Sequence, residues 1–547
     1  MEELSVQDEE STALLAHEMD DKDSIKHAEE TRAELAITDS SKKHGDRALE
    51  LIGDERIPLT DEDNRRIRRK TDLRILPVLV WVYFLQVIDK TTLGYGAVFG
   101  LQKDAKLSAH EYSLIGSIAP IAQLAWQPFS SFLIVKVPHR ILMPLLVIGW
   151  GVAQATMGAC DSYGGLMATR FLLGLFEAGC LPLFSVITSH WYRRAEQPLR
   201  VAAWYSMNGI ANLTAAALSY GLGQIRTSSM YSWQIIFLFC GLVTVCSAPL
   251  VYWRLENDIP SARFLSQHEK AQAVERLRAN QTGTGNREFK WKHVFELALE
   301  PKTYLFIGMT LLLNIGAQVS NTFGPLILAG IGFDKYKTSL LNIPFGTLQF
   351  LTILAGSWAA AKGRFKSLVL AVFMLPVIAG IAMLYALPRT SSHQAALMAG
   401  FYMFAFLFAG NPLIVSWMIG NTAGTTKKSV LMACYQGASS AGNIIGPLLF
   451  SSKDAPSYHP GLRAVLGIFV ALVCVVLIQL ANLILLNKLQ EGKRVRNGKA
   501  AVIKDLSMED TYVGYEADQE DGQTQRLGER AFLDLTDREN DEFTYIY

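Results

Sequence analysis

Four ionisable side chains stand where the chain carries almost no other charge. Asp89 and Lys90 are neighbours inside Leu76–Gly96, and Arg170 and Glu177 share the stretch Ala168–Gly179. A charge at the centre of a bilayer costs roughly 2.5–3.5 kcal/mol on insertion scales, and such residues usually face a cavity or a partner. Acid and base come in equal number. A carboxylate shielded from water takes up a proton more readily, because its charged form loses hydration. A guanidinium grips a carboxylate through two parallel hydrogen bonds, and an ammonium attracts it as a point charge. Asp89 and Glu177 are therefore candidate proton carriers, and Lys90 and Arg170 are candidate binders of a substrate anion. Arg170 and Glu177 are two helical turns apart, so they project from nearly one face, about 10 Å apart along the axis. The competing reading is a set of fixed ion pairs that only hold helices together.

The second half of the chain offers amides instead of charges. Asn314, Gln318 and Asn321 recur at i, i+4 and i+7 on one helix face, joined by Gln349, Asn411, Gln436 and Asn443. Asn314, Gln318, Asn321 and Asn443 are candidates to hydrogen-bond a polar substrate across a cavity. Ordinary interhelical bonding is the alternative. Trp81, Tyr83, Trp204, Tyr205 and Tyr435 can line a pocket or pack against lipid. No P-loop, HExxH or paired CxxC is present, and the six cysteines lie in or beside apolar runs without metal-ligand spacing. No enzyme activity, cofactor or metal is expected.

These residues need long helices to position them. Of 547 residues, 50% are hydrophobic and 18% charged, with a mean hydropathy of +0.20. The charge is concentrated in the tails and in short breaks between apolar runs, the pattern of a polytopic membrane protein. Twelve apolar segments lie between residues 76 and 487, each long enough to cross a hydrocarbon core of about 30 Å as a helix. The reading is an all-α membrane protein: a disordered tail (1–75), six helices (76–253), a linker (254–303), six helices (304–487) and a second tail (488–547). A helix is expected near Ser266–Asn280 in the linker, and the last tail is expected to be flexible. Lys and Arg number thirty beside the tails, the linker and the even-numbered connections, against eight on the opposite side. That excess predicts cytoplasmic termini. Two six-helix halves joined by a polar loop are the plan of a secondary transporter.

Several stretches resemble one family closely. They include Ile88-Asp-Lys-Thr-Thr-Leu, Arg170-Phe-Leu-Leu-Gly-Leu-Phe-Glu-Ala-Gly and Trp191-Tyr-Arg-Arg-Ala-Glu-Gln-Pro. Asn421-Thr-Ala-Gly-Thr-Thr-Lys-Lys-Ser, Gly442-Asn-Ile-Ile-Gly-Pro and Asp534-Leu-Thr-Asp-Arg-Glu-Asn complete the set. The chain resembles the major facilitator superfamily, and within it the fungal allantoate permease branch of the anion:cation symporter family. The resemblance implies the twelve-helix fold in a fungal plasma membrane, acting as a monomer in lipid without nucleic acid. It implies proton-coupled uptake of a small organic anion such as allantoate, ureidosuccinate, nicotinate or a related carboxylate. It also places coupling and anion binding on Asp89, Lys90, Arg170 and Glu177. Proton-driven efflux of a secondary metabolite is the alternative, and a sensor that binds without transporting is a third. The chain departs from the superfamily pattern at Val135-Lys-Val-Pro-His-Arg and at Lys362-Gly-Arg364, where the usual loop acid is missing.

Overall fold

The computed structural model describes residues 57–547, except 224, 226–229, 283–286, 331–334, 389, 450–458, 504 and 510–528. The described residues are helical, with no strand among them. α1 (Asp61–Arg74) is polar. Thr60 and Asp63 cap it reciprocally, and Asp61, Glu62 and Asp63 sit at its positive end. α2 (Leu76–Val98) follows after Ile75, with a proline in its first turn. α3 (Ala109–Lys136) starts at a Ser108/Glu111 capping box and contains Pro120 and Pro128. α4 (His139–Met157) returns, and the next crossing is α5 (Tyr163–Glu177) continued by α6 (Cys180–Trp191). α7 (Gln197–Tyr205) and α8 (Met207–Gly223) form the fifth crossing, and α9 (Ser232–Arg254) the sixth.

The linker holds α10 (Gln267–Glu275), capped by Ser266 and extended by a 3₁₀ turn at Arg278–Asn280, as the sequence predicts. It also holds a helix the sequence reading lacks, α11 (Trp291–Leu299). His293 and Leu297 of α11 are buried, while Trp291, Phe295 and Leu299 are exposed. One apolar face turned outward beside a spanning helix suits the membrane interface.

The second half comprises α12 (Pro301–Gly330), α13 (Lys335–Gly363), α14 (Lys366–Ala386), then α15 (Gln394–Met403) running through a 3₁₀ segment into α16 (Gly410–Gly420), then α17 (Thr425–Leu448) and α18 (His459–Arg496). Eight stretches among the described residues are long and apolar enough to cross a membrane. Residues 197–223, 301–330, 335–363 and 425–448 supply the helices of the other four crossings. The outer surface carries exposed Phe129, Leu145, Leu250, Leu375, Leu477 and Leu485, the apolar belt that lipid requires. Across the seam between halves, α3 packs on α17 and α7 and α8 pack on α13.

One close approach fixes the neighbourhood of Glu177. A Cβ added at Gly174 would lie 2.5 Å from the Ala119 carbonyl oxygen, where α5 crosses α3. Only glycine lets the backbones meet there. Gly174→Leu is expected to destabilise the protein by roughly 1–3 kcal/mol through overpacking. Thermal unfolding in detergent checks this, with Gly164→Ala as control because a Cβ there meets nothing within 4 Å.

α18 runs to Arg496, nine residues past the expected end of the last span, and buries Gln490 and Arg494. The final segment 529–547 is not the flexible tail that its charge suggested. Thr536, Asp537, Asp541 and Phe543 are completely buried against the ends of the bundle. This end also carries α1, the linker and the α6–α7 connection, and is called the linker side below.

Candidate functional site

Lys90 and Glu177 meet. Lys90 Nζ lies 3.1 Å from Glu177 Oε1, an ion pair by distance without the alignment of a hydrogen bond. The Lys90 side chain stays 42% exposed and Glu177 only 3%, so the pair sits at the edge of an open space. The other carboxylate oxygen, Oε2, accepts a 2.9 Å hydrogen bond from Gln123 Nε2 on α3. Gln123 Oε1 in turn accepts from Gln436 Nε2 and Ser440 Oγ of α17, each at 3.3 Å. The ion pair in the first half is thus wired through one amide to the second half.

Arg170 is 5% exposed, and its Nε and Nη1 are buried without a hydrogen-bond partner. Among the described residues no carboxylate lies within ion-pair distance of it. Two helical turns place it about 10 Å from Glu177 along the helix axis. A buried guanidinium with unfilled donors is costly unless something pairs with it.

Asp89 points elsewhere. Adjacent helical residues diverge by about 100°, and Asp89 turns from Lys90 toward α4 and α9. Its Oδ2 accepts from Trp150 Nε1 at 2.8 Å and Thr244 Oγ1 at 3.1 Å, while Oδ1 is buried without a partner. The four charges therefore form a Lys90–Glu177 pair, a nearby unpaired Arg170 and a separately held acid.

On the opposite wall Asn314 is buried, with Asn314 Nδ2 donating to Asn411 Oδ1 at 3.2 Å and Ser439 Oγ donating to Asn314 Oδ1 at 3.0 Å. Asn443 is half-buried. The side chains of Gln318 and Asn321 lie outside the described residues. Tyr435 donates to Asn411 Oδ1 at 2.9 Å, and its hydroxyl is 2.7 Å from that of Tyr205 across the seam. Tyr83 packs on Trp204 and Tyr205, with both ring centroids 5.4 Å away. Seven residues on α2 put Tyr83 about 10 Å from Lys90 toward the linker side. This aromatic layer separates the charged site from that side. Trp81 faces outward, 38% exposed, and donates to Ser247.

Sequence reasoning overlooked Gln123, Trp150 and Thr244. Gln123 carries the same signal as the amides noticed in the second half, a polar side chain at mid-span. Trp150 and Thr244 are ordinary membrane residues, and only the packing of α9 on α2 and the reach of the Trp150 side chain from α4 give them a role.

The arrangement sets a buried, unfilled guanidinium and a half-exposed ammonium near two buried carboxylates inside a helical bundle. Comparison with known proteins agrees with the architecture. The family model described as Major Facilitator Superfamily matches residues 79–447. The thiamine pathway transporter THI73 of Saccharomyces cerevisiae is 32% identical over 492 residues, covering 88% of this chain and 86% of its own. The allantoate permease of the same yeast is 28% identical over 512 residues, covering 91% and 90%. The solved proton:xylose symporter XylE superposes with a TM-score of 0.56 at 14% identity, covering 76% of this chain and 95% of its own. The chain is thus a multi-pass membrane transporter belonging to the major facilitator superfamily, in its branch of fungal transporters.

Proposed function

We propose that the protein takes up a small organic anion, a carboxylate, together with a proton. The observation that carries this reading is Arg170: a buried cation with unfilled donors, beside a Lys90–Glu177 pair at the edge of an open space. A substrate carboxylate fills the Arg170 donors and competes with Glu177 for Lys90. Glu177, losing its cation in a place shut off from bulk water, is neutralised by a proton. Anion and proton then move together, and return of the empty carrier restores the ion pair. Asp89 is the second proton carrier, held behind Lys90 by Trp150 and Thr244. Asn314 and Asn443 supply hydrogen bonds from the opposite wall, and Gln318 and Asn321 are assigned to the substrate by their sequence spacing from Asn314. The name of the allantoate permease relative supports a small ureido acid as cargo. The excess of Lys and Arg on the linker side supports a cytoplasmic position for both tails, and uptake from outside the cell assigns the carrier to the plasma membrane.

The test is uptake of labelled allantoate, ureidosuccinate and nicotinate by cells expressing the protein. With one proton per anion, a one-unit fall in external pH raises steady-state accumulation about tenfold. A fall in accumulation on acidification points instead to proton-driven export. Binding without accumulation points to a sensor.

A further inference from the structure

The last segment of the chain joins the two halves on the linker side. Asp537 is completely buried, 2.8 Å from Lys427 Nζ at the start of α17 and in hydrogen-bond contact with Lys302 at the start of α12. Burial alone would raise the Asp537 carboxyl, but Lys302 and Lys427 outweigh it and hold it well below the usual carboxylate range. Glu296, Glu300 and Asp537 bring carboxylate oxygens within 4.8 Å of one another. The cation among them is the Lys427 ammonium, 2.8, 2.6 and 2.8 Å from the three in turn. Beyond Asp537 the chain crosses the seam. The Thr544 carbonyl accepts from Arg194 Nη1 at 3.0 Å, and the Arg194 guanidinium lies 4.3 Å from the Phe543 ring centroid. Two residues later the Ile546 carbonyl accepts from Trp417 and Asn421 of the second half, both at 2.9 Å.

A shorter strap repeats this connection. The Leu506 and Ser507 carbonyls accept from Arg193 Nη2 at 2.9 Å and from the Ala195 amide at 3.3 Å. Glu509 pairs with Arg364 of the second half at 2.8 Å. Both straps run from the α6–α7 connection to the second half over two or three residues. An extended residue spans at most about 3.6 Å, so neither strap has slack. Alternating access requires the halves to part on one side and then on the other. Parting on the linker side by more than a few ångström must break a strap.

We propose that the segments 506–509 and 536–547 clamp the linker side shut during the transport cycle, with Asp537 as the positioning residue that docks the longer strap. The strap is tied to the second half by ion pairs, to the linker by Asn540 and Glu542 on Gln281 at 2.8 and 3.3 Å, and to the first half by a carbonyl hydrogen bond and a ring contact. Arg194 is therefore the catch that releases, and the tail travels with the second half. The clamp rests on the transporter family, not on the identity of the cargo.

The experiment measures separation of the halves in the full chain in lipid nanodiscs. Spin labels are placed on Lys136→Cys and Lys362→Cys, exposed ends of α3 and α13 on the linker side, in a background without the native cysteines. Distances are read by double electron–electron resonance in that background, with Asp537→Asn and with Arg194→Gln. Each variant is expected to raise the ratio of long to short distances at least tenfold. Arg194→Gln leaves the Lys302–Asp537–Lys427 cluster intact, so it tests the clamp in a protein that keeps its tail anchor. Distances unchanged in Arg194→Gln, or in an Asp537→Asn protein that still melts cooperatively, overturn the proposal.

Discussion

Arg170→Ala is expected to abolish measurable uptake. Arg170 is buried inside the fourth crossing with Nε and Nη1 unfilled, and a substrate carboxylate is their proposed occupant. Truncating one partner of a buried, hydrogen-bonded charge pair costs about 2–5 kcal/mol. That weakens binding by at least ~30-fold, at about 1.4 kcal/mol per factor of ten. Arg170→Lys keeps the charge and loses the bidentate fork, so a smaller loss of about tenfold is expected. Binding is measured by substrate-induced thermal shift in detergent and transport by uptake in cells. Arg170→Ala uptake equal to wild type at equal surface expression would show that the guanidinium is structural.

Glu177→Gln is expected to separate substrate movement from pH. The amide is nearly isosteric, and its oxygen still accepts from Gln123, so the α3–α5 contact survives. It cannot take a proton. Exchange of internal for external substrate should persist while concentrative uptake is lost. Across a two-unit pH difference the loss is about 100-fold in the accumulation ratio for one proton per anion. Asp89→Asn is run beside it, since the Asn oxygen serves Trp150 and Thr244 equally well. Normal pH-dependent accumulation in both variants would sink the coupling scheme.

The crossings were legible in the sequence because the bilayer imposes a length and a composition on each. The charged pairs were legible because lipid makes them expensive. The direction in which each charge points was not. Asp89 and Lys90 are adjacent, and only the positions of α4 and α9 on one side and α5 on another decide which partner each finds. Gln123 was hidden for a related reason: its significance lies in spanning α5 and α17, and no local pattern announces that. The tail misled outright. Asp534-Leu-Thr-Asp-Arg-Glu-Asn is polar enough to look solvated. Its Asp537 is buried because Lys302 and Lys427, far away in sequence, wait at the ends of two helices.

The hydrogen-bond polarity of Gln123 has a consequence of its own. Its NH2 points at Glu177 and its oxygen at Gln436 and Ser440, and an amide cannot offer an oxygen in both directions. Once the acid holds a proton on Oε2, it becomes a donor facing a donor. The quarrel is resolved by a half-turn of the amide, which presents NH2 to the Gln436 side chain, whose own Oε1 has no partner and accepts after a matching turn. A single hydrogen nucleus arriving in one domain would then be felt as a reversal of hydrogen bonds at its border with the other.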